Sequence, residues 1–349
     1  MVNNVELTKK DTKMLQGLSV LAMIWLHLFD RSHEGLFRPL IFLFRGIPLS
    51  FYIAQLSDFC VMGFAFCTGY AHTVTYGEKH FYRNRLTGLL RLLIKYWMII
   101  ILFSALGMIV GKGSFMPGSI RTFLGSVFLY NIGYNGAWWY MFAYTLLVLI
   151  SPLLQKAVEK LHWAVVLSAG LVLYCLGYYL RFGDGVPQNY AVTHAGPFLT
   201  TLFEYLIGSV FAKERFFSKM YAIWKRMPKW SRIVIAAFLL AAMLIVRTVV
   251  VPSLFAAPWK GIAIITLFHF WKKPKFVEKV FLIIGKHSTN LWLTHMFFYL
   301  CFFKNLVYIA VYPLAIFLFM LLITLSLSGA LEFAEKPIFK LKLFVKQQA

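Results

Sequence analysis

From Leu15 to Phe29 the chain reads LQGLSVLAMIWLHLF, and this is the first of ten runs of the same kind. A helix that crosses the hydrocarbon core of a bilayer needs about 20 mostly apolar residues. By that ruler the apolar segments are 14–31, 51–74, 88–110, 136–154, 162–181, 196–213, 231–251, 255–271, 281–303 and 307–331. In lipid the backbone must satisfy its own N–H and C=O groups, which for segments of this length leaves the α-helix. The expected fold is therefore an all-α membrane protein, a polytopic bundle of about ten transmembrane helices. Composition agrees. Of the 349 residues 60% are hydrophobic and only 14% charged, too few charges to cover a soluble domain of this size. The stretch 115–134 is apolar but short, and GKGSFMPGS leads into it, so it reads as a re-entrant or interfacial piece.

A net charge of +22 raises the question of nucleic acid, and the distribution of charge answers it. Lys and Arg fall in short clusters between the apolar runs, as in the cytoplasmic loops of a polytopic protein. With the N-terminus inside, 26 of the 35 basic residues lie on the cytoplasmic side. The other nine, Arg31, Arg38, Arg45, Lys112, Arg121, Arg181, Arg247, Lys260 and Lys304, fall in outer loops or outer span ends. The pattern predicts both termini in the cytoplasm and membrane lipids, not nucleic acid, as the chain's surroundings. Lys9, Lys10 and Lys13 precede an apolar run with no small-residue cleavage site, which reads as a signal anchor. No repeat or low-complexity segment interrupts the pattern, so residues 1–349 are expected to form one integral-membrane domain without a soluble appendix. Cys60, Cys67, Cys175 and Cys301 all sit in apolar runs with no CxxC pair; they read as small buried hydrophobes, and no metal site is expected.

Ionisable groups inside spans are costly, which makes them candidates for function. They are His27, Asp58, Glu204, Arg247, His295 and Glu332, with His72 and His269 near inner ends. At about 1.5 Å per residue, His27 lies roughly 18 Å beyond Leu15 and His295 roughly 15 Å beyond Gly285. Both depths are compatible with one polar cavity. The plainer reading of a lone span histidine is a hydrogen-bonded packing residue, and for His72 and His269 it is interfacial anchoring. Glu204, in TTLFEYLIGSVF, either binds a neighbouring span's polar group or acts directly, and Asp58 could simply face water. After the second span, EKHFYRNRLTGLLRLLIKYW carries Arg83, Arg85 and Arg91. Part of this is cytoplasmic-loop topology, but paired guanidinium groups also match phosphate oxygens bidentately. Trp138, Trp139 and Tyr140 open the fourth span and suit either an interfacial aromatic belt or a stacking platform for a sugar ring. The chain contains no phosphate-binding glycine loop, no HExxH and no GxSxG, which removes P-loop-driven transport, zinc proteolysis and the usual serine hydrolase.

Taken in order, these segments resemble the integral-membrane acyltransferase-3 family. LQGLSVLAMIWLH is similar to its first span, Leu-x-Gly, an apolar run, then His. FAFCTGY resembles its Phe-rich second-span segment, and YRNRLTGLLRLLIKYW its Arg-x-Arg loop with the run into the third span. AWWYMFAYTLLVLISPLL is similar to its fourth span, IGKHSTNLWLTH to its Gly-Lys-x-Ser…Tyr-Leu-x-His block, and EKP weakly to its end. No single motif is specific, but the ordered set covers nearly the whole chain. Two positions depart from the pattern. Gln16 stands where relatives often carry a basic residue, with Lys13 one turn earlier, and Trp292 stands where Tyr is common.

The resemblance implies an acyl-CoA-dependent O-acyltransferase that moves an acyl group, usually acetyl, from cytoplasmic acetyl-CoA to a hydroxyl of a cell-surface carbohydrate or glycoconjugate. It places the protein in a bacterial plasma membrane and leaves a second copy of the chain, or polysaccharide-assembly proteins, open as partners. On it, His27 matches the essential first-span histidine, Arg83 and Arg85 the Arg-x-Arg motif that with Arg91 would hold the CoA phosphates, and His295 the histidine of the late block. Neutral imidazole can take the hydroxyl proton. Asp30, three residues on, could orient the His27 ring. Asp58, Glu204 and His295 complete the catalytic candidates, and Arg247 joins Trp138, Trp139 and Tyr140 on the acceptor side. The rival class is a transporter or flippase for a lipid-linked glycan, since buried His, Glu and Arg also suit a proton relay. The absence of an internal repeat and the Arg-x-Arg segment speak against it.

Overall fold

The computed structural model describes residues 5–31, 35–43, 46–250 and 254–340, and of residues 249 and 250 the backbone alone. Arg45, Lys342 and Lys346, counted above among the loop charges, lie outside the described residues. Among the described residues every regular element is helical. In chain order these are α1 (Lys9–Phe29), α2 (Leu49–Ser57), α3 (Cys60–Thr75), α4 (Phe81–Ile109), α5 (Ile120–Val127), α6 (Trp139–Leu149), α7 (Ser151–Lys160) and α8 (Trp163–Phe182). Then follow α9 (Tyr190–Glu214), α10 (Phe216–Trp224), α11 (Lys229–Ile245), α12 (Ala257–Phe270), α13 (Lys275–Met296), α14 (Lys304–Tyr308) and α15 (Pro313–Phe339).

Among the described residues seven helical stretches are long and apolar enough to cross a membrane: α1, Leu49–Thr75, α4, α8, α9, Lys229–Thr248 and α15. The count is eight if α6 and α7, which part at Ile150, are taken as one broken span. The difference from ten has local causes. Segment 255–271 forms only the shorter helix Leu254–Phe270. Segment 281–303 runs through α13 into the π-helical turn Phe297–Phe302, and Lys286, His287, Ser288, Thr289, Asn290, Thr294 and His295 dilute its apolar run. The stretch 115–134 forms no span, only the eight-residue α5 capped by Ser119.

The chain divides into two compact units that alternate along the sequence. Unit 1 comprises Met1–Ser32, Pro39–Lys79 and Ile150–Lys286; unit 2 comprises His33–Arg38, His80–Leu149 and His287–Ala349. The start of unit 1 is fixed by a capping box. Thr8 N–H donates to Asp11 Oδ2 (2.9 Å), and Asp11 N–H donates to Thr8 Oγ1 (3.2 Å). The interior of unit 1 is aromatic, with Phe66, Tyr70, Phe211 and Phe217 in mutual contact. Its helices approach closely where side chains are absent. A Cβ on Gly208 of α9 would lie 2.1 Å from Phe66 O of α3, and one on Gly17 of α1 would lie 2.4 Å from Phe281 O of α13. Beside this contact His72 Nδ1 lies 3.0 Å from the Tyr205 hydroxyl, which also accepts from Gln155 Nε2 (2.8 Å). His72 is thus buried in a polar network and is not an interfacial anchor.

Unit 2 is centred on Trp138, which is fully buried against Tyr96 (4.6 Å) and Phe297 (5.3 Å). Phe297 in turn stacks on Phe103 at 4.1 Å. The turn before α6 grips α13 by hydrogen bonds: Asn135 Nδ2 and Trp138 Nε1 both donate to Leu293 O (3.1 Å each), and Trp292 Nε1 donates to Ala137 O (3.0 Å). The outward faces of both units are apolar. Phe238 on α11 and Phe333 on α15 are among many exposed large hydrophobics, as expected where lipid is the solvent.

Candidate functional site

In unit 1 the span Leu49–Thr75 breaks after α2. Asp58 is the C-cap at that break, so a carboxylate is left inside an apolar stretch. It is buried and doubly paired. Arg247 Nε donates to Asp58 Oδ2 at 2.9 Å, and Lys260 Nζ forms a close ion pair with Asp58 Oδ1. Lys260 also donates to Gln55 O (3.2 Å). Arg247 reaches Asp58 from a π-helical turn, Val246–Val250, the kind of irregularity often found at functional sites. Asp58 therefore does not face water, and the reason is that two cations travel with it into the interior.

Glu204, on α9, is buried within charge-interaction range of Arg181 and Asp58. Its Oε2 has no hydrogen-bond partner among the described residues. Arg181 Nη1 donates to Thr200 Oγ1 at 3.3 Å, one turn before Glu204 on the same helix. His27 lies half-buried in the last turn of α1. Asp30 ends that helix: its backbone N–H donates to Leu26 O (2.8 Å), and its carboxylate pairs at 3.9 Å with Arg31 and interacts with the charge of Arg247. Asp30 stands three residues after His27, at the point where α1 ends. Six elements of unit 1 thus bring Asp30, Asp58, Glu204, Arg181, Arg247 and Lys260 into one electrostatic group.

Lys260 and Arg181 were missed in the sequence, where they counted among the charges of outer loops and outer span ends. The usable signal was Lys260 standing inside LFAAPWKGIAIITLF, where topology has no need of a cation. Near the other end of α1, Lys13 Nζ donates to Gln16 Oε1 at 2.9 Å.

In unit 2, His295 is fully buried. Its Nδ1 lies 2.8 Å from Trp292 O and 3.2 Å from Leu291 O. Carbonyls only accept, so Nδ1 carries the proton, and in the neutral ring the lone pair sits on Nε2. His287 Nδ1 lies 3.3 Å from Glu332 Oε1 and 2.9 Å from Ser328 Oγ, which accounts for Glu332 as a partner of α13.

Arg83 and Arg85 do not lie in a loop. Both belong to the first turns of α4, where residues two apart point to different sides. Arg83 is exposed; Arg85 is half-buried, 5.5 Å over Phe81 and close enough to Tyr144 of α6 for their charges to interact. The pair is therefore not a single fork. Arg91 is exposed, 5.9 Å over Phe339. The aromatic trio also separates. Trp138 is wholly buried with its N–H spoken for, so it offers no open ring face to a sugar, and Tyr140 is buried against Trp292 at 5.5 Å. Trp139 is the half-exposed member. The helix α6 begins only at Trp139, so Trp138 lies in the turn before it, where its indole is packed inward.

Among protein families, the acyltransferase domain model matches residues 12–333, nearly the whole chain. The chain belongs to the acyltransferase-3 family. Together with its apolar helices, this makes the protein a multi-pass membrane acyltransferase. No curated protein and no solved structure is significantly similar to it. The match takes in His27, the α4 arginines and the α13 block with His295, the residues on which the likeness was first read.

Proposed function

We propose that this acyltransferase uses acyl-CoA, most simply acetyl-CoA, as donor and a carbohydrate hydroxyl as acceptor, in a bacterial plasma membrane. The observation that supports the reading is the family match running without interruption through both units. The basic start of α4 in unit 2, with Arg85 turned inward and Arg83 and Arg91 exposed, suits the phosphates of the donor. His27 is the base: its neutral ring takes the proton of the acceptor hydroxyl as that oxygen bonds to the thioester carbonyl carbon. The carbon–sulphur bond breaks, and the departing thiolate takes up a proton. That proton is the one released by the hydroxyl: His295, whose Nδ1 proton is fixed by Trp292 O, takes it up on the Nε2 lone pair and passes it to the sulphur, which leaves both rings neutral again. The unit 1 group serves the acceptor. Arg247 and Lys260 hold Asp58, and the unmatched Oε2 of Glu204 accepts a hydroxyl of the sugar.

Acyl transfer or hydrolysis by the purified protein in detergent tests this. His27→Ala should lower the rate by about 10²–10⁴-fold, the usual yield of a positioned general base, while acetyl-CoA still binds. A His27→Ala protein as active as the wild type, or a folded wild type that binds no acetyl-CoA, would overturn the proposal.

A further inference from the structure

One buried amide in unit 2 has a group left over. Asn290 of α13 is 2% exposed, and its Nδ2 donates to Ser328 Oγ of α15 at 2.9 Å. Its Oδ1 has no hydrogen-bond partner among the described residues. Turning the amide round does not help. A hydroxyl both donates and accepts, so Ser328 would then satisfy Oδ1 and orphan Nδ2. Ser328 is itself fully buried and is fixed from a second side by His287 Nδ1, at 2.9 Å. The amide is thus held by one end and aims its other end at nothing.

Proteins rarely leave such a group unmatched, because burial without a partner costs stability. A leucine would fill the same volume without that cost. The group makes sense if a ligand supplies the missing partner. Asn290 stands five residues before His295 on the same helix, about 7.5 Å along its axis. A series of contacts leads from the arginine end to the same helix: Arg85 interacts with Tyr144, Tyr144 lies 6.2 Å from Tyr140, and Tyr140 lies 5.5 Å from Trp292. A ligand with phosphates at Arg85 and a reacting sulphur at His295 would pass α13 between them. The linker of coenzyme A is of this kind. It is a thin arm with secondary amides between the phosphates and the sulphur, each offering one N–H and one C=O. Either end of the Asn290 side chain finds its complement there.

We propose that Asn290, held by Ser328, binds a secondary amide of the pantetheine arm and so sets how far the thioester advances along α13. The inference rests on the acyl-CoA reading above and assigns the arm a site within unit 2 that is separate from the phosphate contacts. Its test is equilibrium binding of two probes to the full chain in detergent: coenzyme A, and adenosine 3′,5′-bisphosphate, which has the nucleotide end but no arm. Asn290→Leu should weaken coenzyme A about tenfold, the loss of one well-made hydrogen bond. It should leave the bisphosphate within about twofold, and the protein should melt no lower than wild type, because an unmatched amide has been exchanged for an apolar group. Unchanged coenzyme A affinity in Asn290→Leu, with wild-type binding intact, would overturn the inference and leave the donor reading standing. Loss of both probes together with a lower melting temperature would also overturn it, since Asn290 would then be a structural residue. A wild type that binds neither probe would remove the donor reading and this inference with it.

Discussion

The two units handle buried polarity in opposite ways. In unit 1 it is carried as charge, with Asp58 between Arg247 and Lys260, and Glu204 near Arg181. In unit 2 the buried polar groups of α13 and its Ser328 partner are neutral, namely Asn290, Ser328 and His295, beside the buried carboxylate of Glu335, paired with Lys95. The difference matters because desolvating an ion costs several kcal/mol, and only a partner offsets it. A charged group must therefore be assembled almost complete before any ligand arrives. A neutral group tolerates an unmatched end more cheaply, as at Asn290 Oδ1 in unit 2, whereas in unit 1 the unmatched Glu204 Oε2 is kept within charge-interaction range of Arg181. Each unit also places a π-helical turn beside its polar group, Val246–Val250 in unit 1 and Phe297–Phe302 after His295 in unit 2. In both, the irregular turn frees a residue from the helical register where the chemistry is concentrated.

The comparison breaks most visibly at Lys260. Replacing it by methionine leaves Asp58 with Arg247 alone in a buried setting, a change that usually costs about 3–5 kcal/mol. The corresponding change in unit 2, Lys95→Met, removes the 2.6 Å pair with Glu335, whose lysine side chain is 22% exposed. Water reaches the lysine, but Glu335 is only 5% exposed, so the loss should be smaller than at Lys260 yet larger than that of a surface pair. Thermal unfolding in detergent compares the two. Equal losses would mean that the Asp58 group is not the desolvated cluster described. Adding Asp58→Asn to Lys260→Met should restore part of the stability, since the uncompensated charge goes with it.

Packing gives a smaller contrast. Gly208→Ala sets a methyl 2.1 Å from Phe66 O, a backbone atom that cannot rotate away. Helices α3 and α9 must part, at about 1–3 kcal/mol. Gly88, on α4 of unit 2, has open space where its Cβ would be, and alanine there should stabilise by up to about 1 kcal/mol through helix propensity alone. The same unfolding experiment reads both, and opposite signs are the expected result. A Gly208→Ala protein as stable as wild type would mean that the α3–α9 approach is looser than 2.1 Å implies.

How much of this was legible in the sequence depends on the range of the interaction. Helix type and most span positions follow from local apolar runs, so α1, α4 and α8 lie close to where composition puts them. His27 and His295 stand out because an imidazole in an apolar run is conspicuous in one dimension. Partnership is not conspicuous in this way. Asp58 and Lys260 are 202 residues apart, and nothing local says that one answers the other. Lys260 was thus assigned to an outer span end, and Trp138, buried by contacts with Tyr96 and Phe297, was read as an aromatic surface. The arginine pair was misjudged for a different reason. Arg-x-Arg reads as a fork when the backbone is extended, and the start of α4 lies far enough upstream to make it helical.

That last correction yields the finest test of the comparison, because it separates two residues that sequence treats as equals. A helix turns by about 100° per residue, so Arg83 and Arg85 diverge by about 200° around α4. Arg85 is half-buried, with its Nε shielded from solvent and Tyr144 nearby, whereas Arg83 is exposed. A charge in partly desolvated surroundings interacts more strongly with a phosphate than one in water does, by the ratio of the effective dielectric constants. Arg85→Ala should therefore weaken coenzyme A by roughly 10–100-fold, in the range of a charge-assisted hydrogen bond at about 1.5–3 kcal/mol. Arg83→Ala should weaken it by only a few fold and respond more steeply to added salt, as exposed charges do. Coenzyme A titrations of both variants at two ionic strengths decide the matter. Equal losses with equal salt dependence would mean that the two arginines act as one fork, with the start of α4 unwound when the donor binds.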